Sequence, residues 1–275
     1  MKRIFILILL CFSMLIYGQN YSFYGEYEDM SSGNIYFMQN GEGVFSIFEE
    51  LSQKFEYTKI QESKLQFVKI KQPITTYNNE TISEILILNS IEINTNNTYY
   101  KVRRLSFLFD KFSLSPFISD TKRNFGIQYT YSNPTSFLIE ANKQYSVSNL
   151  SSITLETPWV EGVEGYGIGE GFTVNFKLKN DKYLLIINGY ISFQKPYLYE
   201  QNARIKKIKI TGLQSNRTEI LEVLDTPHPQ SVDISFLNDT EGFSVEIVDV
   251  YPGTKYEDTC IHYLTPYESL VIPYE

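Results

Sequence analysis

Thr157-Pro-Trp-Val-Glu-Gly-Val-Glu-Gly-Tyr-Gly-Ile-Gly-Glu-Gly171 is the stretch around which the C-terminal half of the sequence is organised. It holds the only Trp of the 275 residues, and glycines follow one another closely along it. Glycines at this density favour tight turns and close backbone approach. Phe172, Val174, Phe176 and Leu178 then alternate with polar residues, as in a strand with one buried face. The stretch therefore predicts a turn-rich loop that leads into a strand.

The rest of the C-terminal half predicts a β-sandwich. Residues 232–236 repeat the alternation, and residues 183–187 are apolar on both faces, as in a central strand. The apolar phase slips between Ile205 and Ile208 and between Ile247 and Val248, which is what β-bulges produce where a sandwich strand bends. No convincing amphipathic helix is found. These patterns predict an antiparallel jelly-roll sandwich.

The N-terminal half predicts short strands joined by turns. Asn40-Gly41 between apolar alternations signals a hairpin. Strand spacing of about eight to twelve residues favours a meander or small barrel. Residues 84–88 and 103–112 are also compatible with short helices, because short apolar runs do not fix the type of element. Strands are predicted over residues 34–39, 43–48, 54–60, 64–70, 82–93 and 99–109, so the whole chain is expected to be all-β.

Two boundaries divide the chain. Lys2 and Arg3 precede the apolar run 4–16, and Gly18 follows, so residues 1–18 predict a secretory signal peptide. The run is too short for a confident membrane span. Apolar periodicity fades over residues 113–133, which places a boundary near residue 134. We therefore expect a secreted protein, extracellular or periplasmic, with an N-terminal β-rich domain over residues 19–133 and a jelly roll over residues 134–275.

The two cysteines and the charge narrow the class of protein. Cys11 raises a lipoprotein alternative, which Leu10 disfavours because a small residue is needed there. Cys260 is the only Cys left after cleavage, so no internal disulfide forms; a reactive thiol or an intermolecular bridge is weighed against a buried apolar role, which we favour. The net charge of −8 and pI near 5.0, without a basic run, give no support to nucleic acid or anionic membranes as partners.

Five short motifs occur in order in the C-terminal half. Together they resemble the NADase-type glycan-binding domain, also called the NAD glycohydrolase translocation domain, of the discoidin-like and galactose-binding-like group. The resemblance covers about residues 136–266. The motifs are Trp159-Val-Glu-Gly162, Gly165-Tyr-Gly-Ile-Gly-Glu170, Asn188-Gly-Tyr190, Asn202-Ala-Arg-Ile-Lys206 and Val250-Tyr-Pro-Gly-Thr-Lys-Tyr-Glu-Asp-Thr-Cys-Ile261.

The resemblance implies an eight-stranded antiparallel jelly roll whose loops at one end bind carbohydrate. In the toxin that gives the family its name, hydrolysis of NAD belongs to a separate domain, and nothing in residues 19–133 looks like that domain. The chain departs from the family twice. Residues 151–156 replace the usual Asp-Gly turn after Asn149-Leu150, and His262 and Tyr263 stand where a small residue and a Glu are usual.

The candidate ligand-binding residues come from these motifs, and each has a structural alternative. Trp159 is either a sugar-stacking platform or a buried plug under the loop. Arg204 either meets sugar hydroxyls together with Asn202 or pairs with Glu161 or Glu170. Tyr199 is a further aromatic candidate. The full set of candidates is Trp159, Glu161, Tyr166, Tyr190, Tyr197, Asn202 and Arg204.

Catalysis and metal binding find little support in the sequence. Only His228 and His262 are present, and none of the common hydrolase, metalloprotease or nucleotide-binding motifs occurs. Glu161, Glu164 and Glu170 lack the spacing of a Ca²⁺ loop, so no cofactor is expected and a structural Ca²⁺ stays unsupported. Two carboxyl groups facing each other would suffice for a glycosidase, so a hydrolase remains an alternative.

The leading hypothesis is a secreted, non-catalytic protein that recognises a glycan or cell-surface carbohydrate. The N-terminal domain would present the jelly roll or bind a second, protein partner. The first alternative is a structural or adhesion protein whose jelly roll docks onto a protein, and the second is the hydrolase.

Overall fold

The computed structural model describes residues 19–24, 32–47, 51–75, 81–97, 100–110, 116–118, 129–151, 157–175, 182–237 and 241–267. The signal peptide predicted over residues 1–18, including Cys11, lies outside the described residues. The predicted all-β class is confirmed: the described helical segments are a single 3-10 turn, Val147–Ser151, and the short helix α1, Leu198–Gln201. The described part of the chain contains no helix long and apolar enough to span a membrane.

The chain forms two compact units, the first built mainly from residues before 121 and the second mainly from residue 121 onward. In the first unit, eight strands close into a barrel in sequence order. The strands are β1 (Gln19–Tyr24), β2 (Ser32–Phe37), β3 (Glu42–Ile47), β4 (Leu51–Glu62), β5 (Leu65–Thr75), β6 (Thr81–Asn97), β7 (Tyr100–Asp110) and β8 (Pro116–Ile118).

The barrel shows which type of element the ambiguous apolar runs form and where the predicted hairpin lies. Residues 84–88 and 103–110, which were also compatible with helices, lie in β6 and β7. The Asn40-Gly41 hairpin forms between β2 and β3: Gly41 has φ +83°, and the Met38 N–H donates to the Glu42 carbonyl at 2.8 Å. Alternating apolar side chains of β2 to β6 fill the interior, among them Phe37, Phe45, Phe55, Val68 and Ile85.

The second unit contains a nine-stranded sheet in the order β17-β14-β19-β15-β18-β13-β9, with β12 on β19 and β16 on β15. A separate two-stranded hairpin, β10–β11, stands before it. The strands are β9 (Thr130–Ser132), β10 (Ile139–Glu140), β11 (Lys143–Gln144), β12 (Trp159–Val160), β13 (Gly171–Asn175), β14 (Tyr183–Asn188), β15 (Ala203–Gly212), β16 (Thr218–Glu222), β17 (Gln230–Asp233), β18 (Gly242–Tyr251) and β19 (Thr259–Tyr267).

Contacts between strands far apart along this sheet show that it folds back on itself as a sandwich. Tyr131, on the last strand of the path, donates its hydroxyl to the carbonyl of Leu264 on β19. Trp159 beside β19 packs edge-on against Phe172 of β13, with ring centroids 5.0 Å apart. Since β19 and β13 are separated by two strands in the sheet, both contacts cross the core rather than run along one face.

Several local predictions for this unit are confirmed. β14 lies between β17 and β19, and its side chains from Leu184 to Asn188 are buried on both faces, as the apolar run required. The register of β15 against β18 shifts around Lys207, where Lys207 faces Asp249 and Ile208 faces Ile247, so both predicted phase slips are bulges. β9 pairs with β13, so this sheet takes in residues that precede the boundary predicted near residue 134.

Candidate functional site

One end of the sandwich gathers three chain connections. Pairings of Val160 with Cys260, Asn188 with Ile261 and Arg204 with Tyr251 bring the last residues of β12, β14 and β18 next to the first residues of β15 and β19. Consequently the connections 161–170, 189–202 and 252–258 leave the sheet together. We call this the loop end.

Two of these connections are joined by main-chain hydrogen bonds. The Thr254 N–H donates to the Glu200 carbonyl at 3.0 Å, and the Tyr256 N–H donates to the Gln201 carbonyl at 2.8 Å. Gly253 permits the approach, because a Cβ there would lie 2.4 Å from the Gln201 carbonyl oxygen. The segment 252–258 is therefore fixed against α1.

The third connection, the glycine-rich loop 161–170, is held by a buried carboxylate. Glu161 is 0% exposed, and its Oε2 and Oε1 accept the N–H groups of Val163 at 2.9 Å and Thr259 at 3.1 Å. Burial raises the pKa of Glu161, while the two N–H donors act in the opposite direction. Gly167, at φ +63°, packs on the same side chain, so the loop closes around Glu161.

Arg204 is buried, and its guanidinium N–H groups donate to partners inside the protein. Nε and Nη2 donate to Oδ1 and Oδ2 of Asp225 at 3.1 and 3.0 Å, and Nη1 donates to the carbonyls of Asn202 and Pro252. The Tyr199 ring lies 5.4 Å from the guanidinium, and its hydroxyl donates to Asp225 at 3.1 Å. Burial alone would raise the pKa of Asp225, but chiefly the hydrogen bonds from Arg204 lower it to about 2. The pairing of Arg204 with Glu161 or Glu170 was wrong, as was a sugar-binding role for Arg204 or for Tyr199, which is fully buried.

The asparagines of the motifs are structural as well. The amide of Asn188 exchanges two hydrogen bonds with the backbone of Ile205, at 2.7 and 3.0 Å. Asn202 is buried and donates to the Leu198 carbonyl at 2.9 Å, which closes α1. Asn202 was predicted to bind sugar hydroxyls, but its side chain faces the helix instead.

Trp159, the residue singled out first, is not a platform. Its side chain is 1% exposed, it packs against Phe172, and its Nε1 donates to the Ser136 carbonyl at 3.4 Å. A ring enclosed on both faces has no surface left for a sugar. The stacking role predicted for Trp159 is wrong, and the alternative of a plug under the loop is what the structure shows.

Tyr190 and Cys260 form a small cluster behind the loop end. The ring of Tyr190, half-buried, lies edge-on to Tyr145, with centroids 6.2 Å apart. Burial raises the pKa of Tyr190. Cys260 packs between Tyr145 and Val160, fully buried, and burial raises its pKa also. Cys260 is thus a small apolar residue here, and its thiol is shielded from solvent.

Tyr197 remains as an open aromatic surface, and the structure adds two residues to it. Tyr197 is the N-cap residue of α1 and is 43% exposed, while Tyr256 in the segment fixed against α1 is 36% exposed. Lys255 places its Nζ 4.7 Å from the centroid of the Tyr256 ring. Interactions with Tyr256, and to a lesser extent with Tyr197, raise the pKa of Lys255. We call these three residues the tyrosine–lysine surface.

The predicted residues therefore separate into two groups. Glu161, Asn202, Arg204 and Trp159 hold the loop end together from inside, whereas Tyr197 faces solvent and Tyr166 and Tyr190 are half-buried. Sequence reasoning missed Asp225, Lys255 and Tyr256. Lys255 and Tyr256 lie inside the Val250–Ile261 motif, which indicates the fold and marks no particular side chain for binding, and Asp225 lies in a segment without a local signal for a site.

No site for a metal ion is evident in the described part of the chain. There, no three His, Cys, Asp or Glu side chains are grouped closely enough to hold one.

Comparison with models of protein families gives a match to the C-terminal half of the chain. The model for the NAD glycohydrolase translocation F5/8 type C domain matches residues 126–265, half of the chain, so the chain belongs to this family. Comparison with curated proteins found no match. A translocation domain of F5/8 type C points to a binding or translocation role for the second unit.

Proposed function

We propose that this is a secreted, non-catalytic protein that binds carbohydrate at the loop end, through the tyrosine–lysine surface. One observation carries the proposal. Among the aromatic side chains whose exposure the structure describes, Tyr197 and Tyr256 are the most exposed, and they lie on two connections that hydrogen bonds hold together. The C–H faces of a sugar ring pack on aromatic rings, and nearby polar groups fix the orientation of the sugar.

The remaining architecture supports this choice of surface. The polar side chains that the motifs supply, Glu161, Asn188 and Arg204, already have protein partners, so they stiffen the loop end instead of offering free donors. A rigid backbone under exposed rings lowers the entropy that is lost on binding. The fold thus favours a preformed surface for a ligand.

A glycan array with the full chain tests the proposal. We expect selective binding that Tyr197→Ala and Tyr256→Ala each weaken by about tenfold, since stacking on an aromatic ring contributes on the order of 1 kcal/mol or more. Tyr197→Phe keeps the ring and should retain most of the affinity. Ile220→Ala, an exposed apolar change on β16, is the matched control. Equal binding by all four variants, with folding verified, would reject this surface.

A protein-docking role is the second candidate, and one observation favours it. Val163 and Ile168 on the glycine-rich loop expose apolar side chains, Ile168 to 59%. Exposed apolar residues on one loop suit a protein partner. Binding to cells that persists after enzymatic removal of surface glycans, and that Ile168→Ser abolishes, would favour this candidate over carbohydrate.

The non-catalytic part of the proposal has its own test. Purified protein is incubated with NAD and, separately, with a panel of polysaccharides, and products are followed by chromatography. We expect no turnover above that of a heat-denatured sample. Sustained turnover of either substrate class would replace the binding role by the hydrolase alternative.

A further inference from the structure

Lys255 differs from the lysines of β15 in the groups that surround its ammonium. On β15, Lys206, Lys207 and Lys209 each face a carboxylate, at 2.8 Å from Asp249, 3.9 Å from Glu222 and 2.5 Å from Glu246. Lys255 has no ion pair with a carboxylate in the described part of the chain. In a chain with a net charge of −8, no described carboxylate lies within ion-pair distance of this cation.

The position of Lys255 is also fixed. Its own N–H and that of Tyr256 both donate to the Gln201 carbonyl, at 3.2 and 2.8 Å, so the backbone on either side cannot swing away from α1. The ammonium group lies 4.7 Å from the centroid of the Tyr256 ring. A positive charge is therefore held beside the exposed Tyr256 ring, on a segment bonded to the helix that Tyr197 precedes.

We propose that the tyrosine–lysine surface selects carbohydrates that carry a negative charge, a carboxylate or a sulfate ester. This inference rests on the proposed carbohydrate-binding function and names the ligand class. The rings of Tyr197 and Tyr256 take the apolar faces of the sugar, and the ammonium of Lys255 pairs with the anionic group. The attraction between the Lys255 ammonium and the anionic group acts at contact distance. The repulsion between that group and the distant carboxylates of this acidic chain is largely screened by salt beyond about 8 Å at physiological ionic strength.

Pairs of oligosaccharides that differ only in charge separate the effect of the anionic group from that of the sugar. Oligogalacturonate carries one carboxylate per sugar, and its methyl ester has the same sugars without charge; galactan and sulfated galactan form the second pair. The affinity of the full chain for all four is measured by calorimetry at two salt concentrations. We expect at least one anionic member to bind about threefold or more tighter than its neutral partner at low salt, as for an exposed ion pair, and the difference to shrink in high salt.

Variants tie the effect to Lys255. Lys255→Met keeps the length of the side chain and should reduce the anionic ligand to the affinity of its neutral partner, whereas Lys255→Arg should preserve the preference. Lys182→Met, at an exposed lysine before β14, is the control and should change nothing. The pair that shows the preference distinguishes a carboxylate from a sulfate ester.

The outcomes separate this inference from the proposed function. If neutral and anionic partners bind equally and Lys255→Met binds like the unmodified protein, the charge selection is overturned while carbohydrate binding stands. If the preference survives in Lys255→Met, the selection lies elsewhere and this inference fails. If none of the four ligands binds and the glycan array is also blank, both proposals fail together.

Discussion

The guanidinium of Arg204 and the carboxylate of Asp225 face each other through two parallel hydrogen bonds, at 3.1 and 3.0 Å. The Arg204 side chain is almost enclosed, and that of Asp225 is only partly accessible. Bidentate pairs of this kind combine charge with fixed geometry. The pair anchors the start of β15 to the segment that follows β16, directly beneath the loop end.

Removing one partner of this pair should destabilise the second unit strongly. Asp225→Asn leaves the Arg204 charge buried without its counter-charge, which costs about 3–5 kcal/mol. Urea unfolding followed by the fluorescence of Trp159, the only Trp, reports on this unit alone. Asp249→Asn at the exposed Lys206 pair is the control and should leave the midpoint nearly unchanged. Equal effects of the two variants would contradict a buried, energetically important pair.

The same pair predicts how stability depends on pH. The pKa of Asp225 is lowered to about 2 in the folded protein, against 3.8 when unperturbed. The ionised form is therefore favoured by folding, so the stabilisation is present above pH 3.8 and is lost as the pH falls through 2. It amounts to about 2 kcal/mol. The difference in free energy of unfolding between the unmodified protein and Asp225→Asn should shrink from pH 5 to pH 2.5, and a constant difference would refute the assignment.

Two glycines of the same loop should respond differently to alanine. Gly165 and Gly167 both have positive φ, but a Cβ at Gly165 meets nothing within 4 Å, whereas one at Gly167 lies 2.5 Å from Glu161 Cγ. Gly165→Ala should cost about 1–2 kcal/mol for backbone strain alone. Gly167→Ala adds overpacking of about 1–3 kcal/mol. Thermal unfolding of the two variants measures their loss of stability. A larger loss of stability for Gly165→Ala than for Gly167→Ala would mean that Gly167 does not pack on Glu161.

Trp159 should report on folding and not on ligand. Because its indole is enclosed, acrylamide should quench its fluorescence poorly until urea exposes it, and saturating glycan should leave its emission unchanged. Trp159→Ala should cost about 3–5 kcal/mol as a large core truncation. Efficient quenching of the folded protein would place the ring at the surface after all.

The strands could be read from the sequence where their signal is local. The apolar run of β14 and the phase slips around Lys207 and Val248 follow from a period of two within one segment, and each appears as expected. Residues 84–88 stayed ambiguous because a short apolar run is the same in a helix and a strand. Only pairing with β5 made them part of a strand.

The site was harder, because side-chain orientation depends on distant partners. Trp159, beside β19, packs against Phe172 of β13, and two other strands of the sheet separate β19 from β13. Arg204 finds Asp225, 21 residues later, and no local pattern marks that carboxylate. Tyr256 is held against α1, the helix that Tyr197 precedes, because segment 252–258 is hydrogen-bonded to Glu200 and Gln201. Most of the motif residues, Trp159, Glu161, Asn202 and Arg204 among them, are buried and build the scaffold on which the exposed residues stand.

The hydrogen bonds of the buried Glu161 carboxylate have a consequence for how the binding specificity of the loop end could be changed. The carboxylate accepts the main-chain N–H groups of Val163 in the loop and of Thr259 on β19, and the side chains of Val163, Glu164 and Ile168 face solvent and take no part in these hydrogen bonds. These three positions can therefore be varied while the backbone of the loop stays in place. A library diversified there, with Glu161 and Gly167 kept, is an entry point for evolving new recognition without rebuilding the sandwich.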